Sequence, residues 1–163
     1  SPRFQPRLLA LAMEFATNRP LPRADDSYRD LLGRSFFLPM LAYIAIGGLL
    51  GTVARYALQG WVQARVGATS FPSGTLVINL LGSLALGFIV RYATGATLVT
   101  PEVRASLTIG FCGAFTTMST FSYETMTLLR DAEYWYAALY MGGTVLGCLP
   151  AVIAGTAVAN RLL

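Results

Sequence analysis

Apolar residues fall in four long blocks along the chain, near residues 40–62, 74–92, 104–129 and 134–158. Because an α-helix rises about 1.5 Å per residue and the hydrocarbon core of a bilayer is about 30 Å thick, each block is long enough to cross a membrane as a helix. The connections, at about residues 63–73, 93–103 and 130–133, are short, so neighbouring helices must run antiparallel. The pattern predicts an all-α membrane protein with four transmembrane helices.

The first 38 residues differ in composition from the rest of the chain. They hold six Arg, four Pro and four acidic residues, with one apolar island at residues 8–13. That island is too short to span a bilayer, and no small-residue cleavage pattern of a signal peptide follows it. We predict that residues 1–38 are a disordered or surface-lying arm, processed, vector-derived or encoded upstream of the biological start, and that residues 39–163 form the four-helix transmembrane domain.

The composition of the 163 residues, 55% hydrophobic and 12% charged, agrees with a multi-pass protein of the plasma membrane, which is the inner membrane if the source is a bacterium. The chain has no His and only two Cys, so it lacks the ligands and bases of common metal and acid–base enzymes. We predict that it is not an enzyme. The net charge of +4 comes from Arg alone, which in a membrane protein indicates orientation and headgroup contact rather than nucleic-acid binding.

Pairs of small residues four positions apart occur in the first, second and fourth apolar blocks. The pairs are Gly47 and Gly51, Ser83 and Gly87, Gly143 and Gly147, and Ala151 and Gly155. Such pairs let helix backbones approach closely where lipid provides no hydrophobic drive for association. Four helices packed so tightly cannot surround a continuous pathway, so we infer that the chain forms a homodimer.

The third block is not typical of a regular membrane-spanning helix. Six hydroxyl-bearing residues lie between Thr116 and Tyr123, and Gly110 and Gly113 precede them. An interrupted helix at membrane depth is tolerated where it is buried in protein or lines a cavity. Its freed carbonyls can hold a cation such as Na⁺, and its amides and hydroxyls can face an anion. The alternative is that each hydroxyl bonds to the preceding turn of its own helix.

Two polar residues of the first two blocks also require partners. Asn79 lies in the middle of the second block, one turn after Thr75. Its amide either clamps two helices together or donates a hydrogen bond to a passing ion. Arg55, near the end of the first block, either extends to the headgroups or forms a positive vestibule that concentrates anions.

Glu124 in the third block raises two competing functions. A proton-coupled exporter of cationic drugs needs an intramembrane carboxylate in a roomy cavity, whereas an anion pathway offers hydroxyls, amides and positive ring edges. The fourth block places Tyr140, Thr144 and Cys148 on one helix face, either as a polar track or as packing. The surrounding hydroxyls favour the anion pathway.

The sequence resembles the CrcB/Fluc family of small fluoride channels over nearly all of residues 40–160. Three segments carry this resemblance: GGLLGTVARY at residues 47–56, PSGTLVINLLG at residues 72–82 and GFCGAFTTMSTFS at residues 110–122. The resemblance implies an antiparallel, dual-topology homodimer with two narrow fluoride pathways at the subunit interface. It also implies a structural Na⁺ at the dimer centre, held by backbone carbonyls of a broken third helix.

The resemblance assigns roles to individual positions. Gly113 and Thr116 would supply the Na⁺-binding carbonyls, and Asn79 and the ring edge of Phe121 would contact fluoride. Met118 stands where the family pattern has a second Phe, so a thioether replaces one of two ring contacts in the pathway. The remaining pathway residues would be Thr75, Thr120, Ser122, Tyr140, Thr144 and Cys148, with Arg55 at an aqueous vestibule.

The function implied by this resemblance is passive, fluoride-selective export. Fluoride enters cells as neutral HF, ionises at cytoplasmic pH and is trapped, and a selective leak releases it. The expected partners are the fluoride ion, the lipid bilayer and a second copy of the chain. The alternative function remains a proton-coupled small multidrug exporter that uses Glu124.

Overall fold

The computed structural model describes residues 34–67, 69–95 and 99–163, and all regular elements in these ranges are helical. The helices are α1 (Arg34–Val66), α2 (Ser73–Gly95), α3 (Pro101–Ala105), α4 (Gly113–Phe115), α5 (Met118–Arg130) and α6 (Tyr134–Asn160), and a π-helical stretch (Ser106–Cys112) joins α3 to α4. The all-α prediction is confirmed for these residues. The predicted arm at residues 1–38 lies outside the described residues, apart from the start of α1.

Three helical stretches are long and apolar enough to cross a membrane. They are residues Leu38–Val66 of α1, the whole of α2 and the whole of α6. They correspond to the first, second and fourth apolar blocks. The third block is divided into short helical pieces, so it does not form one long helix of this kind. We refer to residues 101–130 as the third segment.

The helices pack as a bundle in which α2 lies beside α6 and α1 lies beside the third segment. The Thr156 hydroxyl donates to the carbonyl of Gly87, and four residues later on each helix Arg91 donates to Asn160. Because the contacts advance in the same direction along both helices, α2 and α6 run parallel. The third segment begins where Ala105 packs against Met40 at the start of α1. Its end at Arg130 is joined by a short turn to α6, at the opposite end of the bundle.

Glycines allow the closest of these helix contacts. A Cβ added at Gly155 would overlap the carbonyl oxygen of Leu84, and one added at Gly87 would overlap that of Val152. Tight packing of α2 on α6 therefore depends on this reciprocal pair. Gly143 was also predicted to allow a close approach of helices. Within the chain, however, a Cβ added at Gly143 would meet only the Leu76 side chain, at 3.9 Å.

The outer surface of the bundle suits a lipid environment. Large apolar side chains such as Leu49 on α1 and Leu146 on α6 are exposed over most of their area. Trp61 and Trp135 are exposed at the end where α1 finishes and α6 begins, and the guanidinium of Arg65 lies 4.8 Å from the Trp61 ring centroid. Exposed apolar surface with aromatic residues near a helix end is typical of a membrane interface. The chain is a multi-pass membrane protein.

Candidate functional site

The third segment leaves helical geometry at Thr116 and Thr117, which we call the break. Thr116 has φ −85° and ψ 159°, Thr117 has φ −150° and ψ 113°, and α5 begins at the next residue. Asn79 of α2 bonds to both backbone groups of Thr117: its Oδ1 accepts from Thr117 N at 2.8 Å and its Nδ2 donates to Thr117 O at 3.3 Å. The buried amide therefore substitutes for the helical partners that the break removes.

Thr117 also begins the helix that follows the break. Its Oγ1 accepts a hydrogen bond from Thr120 N at 3.2 Å and donates to Thr120 Oγ1 at 2.9 Å. A threonine in extended geometry before a helix is a common N-cap. Thr117 was not among the site residues predicted from the sequence. A threonine three residues before Thr120, at the start of a new helical stretch, was the signal that could have revealed it.

These two contacts affect the carbonyls of Gly113 and Thr116. In an α-helix each carbonyl accepts from the amide four residues later, here Thr117 N and Thr120 N. Those amides donate instead to Asn79 and to the Thr117 hydroxyl. The two carbonyls that were predicted to hold Na⁺ therefore lose their regular helical donors. Among the described residues, no cluster of three His, Cys, Asp or Glu side chains forms a metal site.

A cavity of about 350 Å³, which we call the break cavity, opens beside the break. It brings together residues from α2, the third segment and α6. The predicted site residues that line it are Asn79, Gly113, Thr116, Met118, Thr144 and Cys148. Met118 is 69% exposed. Thr144 is buried, and its hydroxyl has no hydrogen-bond partner among the described residues.

A second cavity, of about 690 Å³, lies at the end of the bundle where α1 finishes and α2 begins. We call it the end cavity. Glu124 and Thr75 line it, and Thr75 Oγ1 donates to Glu124 Oε1 at 3.0 Å. The hydroxyl of the fully buried Tyr140 donates to Glu124 Oε2 at 2.6 Å. Both carboxylate oxygens are therefore held by hydroxyl groups.

Gln59 joins this network from α1, because its Nε2 donates to Thr75 Oγ1 at 3.0 Å. Gln59 was not among the site residues predicted from the sequence. It lies four residues after Arg55 and four before Gln63, so these three residues form a polar stripe on an otherwise apolar helix. That stripe was the signal that could have revealed it.

The other predicted site residues line neither cavity. Phe121 is buried against Tyr140, with ring centroids 5.0 Å apart and planes tilted by 48°. Ser122 donates to the Met118 carbonyl at 2.9 Å, which is the local bonding considered as the alternative for these hydroxyls. Thr120 serves the cap of α5, and Arg55 is half-buried on α1.

Comparison with known proteins identifies similar chains. The model of a family described as CrcB-like protein, Camphor Resistance (CrcB), matches residues 42–156, which include the break and all the predicted site residues. A protein of Geobacter metallireducens named fluoride-specific ion channel FluC is 47% identical over 119 residues, which cover 73% of this chain and 95% of that protein. A protein of the same name from Chlorobaculum tepidum is 46% identical over 117 residues, or 72% of this chain and 91% of its own length.

Proposed function

The chain belongs to the CrcB family, and from this premise we propose that it is a fluoride-selective ion channel that passively releases cytoplasmic fluoride. The structural observation that supports the proposal most directly is the chemistry of the break cavity. Asn79, Thr144 and the hydroxyls of the break surround it, and none of its lining residues in the described part of the chain is charged.

This lining suits a small, strongly hydrated anion. Amide and hydroxyl hydrogens can replace the water that fluoride loses on entry, while the absence of a fixed cation keeps the ion from binding too tightly to leave. The Thr144 hydroxyl, which has no hydrogen-bond partner among the described residues, is a donor available for that purpose. The Asn79 amide has two N–H groups, of which the Thr117 carbonyl uses one.

We further propose that the third segment also crosses the membrane, which brings the number of crossings to four. It starts beside Met40 at one end of the bundle and finishes beside the first turn of α6 at the other. Of its two non-helical residues, Thr117 is buried and bonded to Asn79, and Thr116 donates to the Cys112 carbonyl. Bonding within the protein is the condition under which a broken helix is tolerated at membrane depth.

A second copy of the chain would complete the pathway. The break cavity is open on one side, and Met118 at its edge is 69% exposed, so one chain does not enclose an ion there. Arg residues occur at both ends of the bundle, with Arg91, Arg104 and Arg161 at one and Arg65 and Arg130 at the other. This distribution is compatible with insertion in both orientations and with an antiparallel dual-topology homodimer.

Na⁺ is the proposed resident ion of that dimer. The carbonyls of Gly113 and Thr116, whose helical donors bond elsewhere, would contribute two oxygens from each copy. Oxygen donors without a fixed charge suit a hard monovalent cation. The ion would supply the positive charge that compensates these carbonyl dipoles, and the chain's own role is to hold them in place through Asn79 and Thr117.

The exporter alternative receives no comparable support. The named relatives are channels, and the Glu124 carboxylate is bound by Thr75 and Tyr140 instead of facing a cavity unpaired. The deciding experiment is efflux from liposomes that hold the purified protein. We expect fluoride to leave and chloride, under the same gradient, to be retained. Proton-coupled movement of cationic dyes without fluoride efflux would contradict the channel function.

A further inference from the structure

The Glu124 carboxylate is reached by hydrogen bonds from three helices. Thr75 of α2 donates to Oε1 at 3.0 Å and Tyr140 of α6 donates to Oε2 at 2.6 Å. Gln59 of α1 makes no hydrogen bond to the carboxylate but donates to Thr75 Oγ1 at 3.0 Å. The hydrogen-bond path from Gln59 to the carboxylate therefore runs through Thr75.

The hydrogen-bond capacity of Thr75 explains what Gln59 contributes. A threonine hydroxyl has one proton and two lone pairs. The Gln59 N–H occupies one lone pair, and the single proton is directed to Glu124. Other helical threonines of this chain donate back to the carbonyl four residues earlier, including Thr52, Thr94, Thr108 and Thr125. Thr75 lies in the first turn of α2, so the residue four positions earlier, Phe71, precedes the helix, and the Thr75 hydroxyl donates to another helix instead. The Gln59 N–H is the hydrogen bond from α1 that fixes the direction of this hydroxyl.

We propose that Gln59 is a positioning residue which, by orienting Thr75, holds the Glu124 carboxylate against α2 and α6 and away from the anion. This inference rests on the proposed channel function. Glu124 is half-buried and lines the end cavity. Thr75 and Tyr140, which the family resemblance assigns to the fluoride pathway, both bond this carboxylate. A carboxylate released from Thr75 would therefore place its negative charge beside that pathway and repel fluoride at short range.

The chain contains a matched control in Gln63, one turn further along α1. Its Oε1 accepts from Ser73 Oγ at 3.2 Å and from Gly74 N at 3.4 Å. Gln63 therefore holds the start of α2 and makes no bond to Thr75 or Glu124. Methionine matches the length of glutamine without an N–H, so Gln59→Met and Gln63→Met remove equivalent groups from the same helix.

The first measurement is fluoride efflux per folded protein in liposomes. We expect Gln59→Met to lower efflux by about fivefold, the effect of losing one well-placed hydrogen bond. Gln63→Met should lower thermal stability but leave efflux within about twofold of the parent. Equal efflux in Gln59→Met and the parent, or equal losses in the two variants, would overturn the inference.

A double-mutant cycle separates positioning from packing. In a Thr75→Val background the hydroxyl that Gln59 orients is gone, so adding Gln59→Met should change efflux by less than about twofold. In a Thr75→Ser background, which keeps the hydroxyl, Gln59→Met should retain its full effect. Independent, additive losses in the Thr75→Val background would show that Gln59 acts through packing alone.

An infrared measurement tests the same inference without transport. The carboxylate stretching band of Glu124, assigned by difference from Glu124→Gln, should shift in Gln59→Met and stay in place in Gln63→Met. A parent without fluoride efflux would refute the channel function, and the band would still report whether Gln59 acts on Glu124. An unshifted band in Gln59→Met would refute the positioning role even if the parent conducts.

Discussion

Asn79 serves the fold and lines the proposed pathway with the same side chain. The sequence left open whether this amide clamps helices or meets an ion. In the structure its oxygen and one of its N–H groups hold the backbone of Thr117, and its side chain lines the break cavity. An amide nitrogen carries two hydrogens. The two roles are therefore compatible, because the second N–H is available to an anion.

The Asn79→Asp variant tests both roles. The new carboxylate still accepts from Thr117 N, but it cannot donate to Thr117 O and it places negative charge in the cavity. We expect a loss of about 1–3 kcal/mol in stability, and fluoride efflux below detection. Thr94→Ala, which removes an exposed hydroxyl from the same helix at a position that lines neither cavity, is the control and should purify and conduct. Unchanged efflux in Asn79→Asp would remove Asn79 from the pathway.

Met118 and Phe121 differ in environment, and this difference predicts how each tolerates substitution. Met118 is 69% exposed at the rim of the break cavity, whereas Phe121 is buried against Tyr140. Within the chain a ring has room at position 118, so Met118→Phe should preserve fluoride efflux or change it modestly. Phe121→Met removes an aromatic contact worth about 0.5–1.5 kcal/mol beyond its buried area, and should lower both stability and efflux.

Efflux from the parent, Met118→Phe and Phe121→Met must be compared in one ionic condition. Full activity of Phe121→Met would show that the Phe121 ring edge is not required. An inactive parent whose conduction is restored by Met118→Phe would show that this pathway needs two rings and that the native thioether blocks it.

At the level of helices, the third segment shows how far the sequence could predict the structure. Hydroxyl density and two glycines predicted an interruption, and the extended residues fall at Thr116 and Thr117 within that run. The location could not be derived from local propensity, because Asn79 of α2 determines which peptide leaves the helix. Gln59 was missed for a similar reason, since its partner Thr75 lies on another helix. The periodicity of one helix does not show which residues of another helix it contacts.

Helix α6 allows a direct test of the glycine contacts. A Cβ at Gly155 would overlap the backbone of Leu84, whereas a Cβ at Gly142 meets nothing within 4 Å. Gly155→Ala must push α2 and α6 apart, so we expect it to be destabilised by about 1–3 kcal/mol. Gly142→Ala should be neutral or more stable by about 0.5–1 kcal/mol, because alanine favours helix. Thermal unfolding in detergent measures both, and equal stabilities would contradict the close approach of α2 and α6.

For the whole molecule, the opening of the break cavity would connect the proposed ion site to the proposed dimer. Residues from α2, the third segment and α6 meet at this cavity, and its rim residue Met118 is exposed. An ion at the break of one chain would be incompletely surrounded. A second chain facing the same surface would supply the missing wall and, through its own Gly113 and Thr116, the other half of a carbonyl ring. Dimer stability should therefore depend on the cation.

Replacing Na⁺ by a large organic cation during purification tests this dependence. A ligand bound only to the assembled dimer stabilises it by about 2.7 kcal/mol at a concentration of one hundred times its dissociation constant. We expect thermal stability and fluoride efflux to fall on exchange and to recover when Na⁺ is returned. Thr116→Ser should behave like the parent, because the proposed site uses the backbone carbonyl of this residue and the Thr116 hydroxyl donates to Cys112 O at 3.0 Å.

Asn79→Ala gives the sharpest contrast for the Na⁺ site. Without the amide oxygen, Thr117 N is free to return to the Gly113 carbonyl as in a regular helix, which removes an oxygen from the proposed ring. The difference in unfolding temperature between Na⁺ and the organic cation should therefore shrink in Asn79→Ala and persist in Thr116→Ser. Indifference of the parent to Na⁺ at every concentration, together with no density at the two-fold axis of an experimental dimer structure, would contradict the site. Density there with an unresponsive parent would mean instead that the ion is held too tightly to exchange.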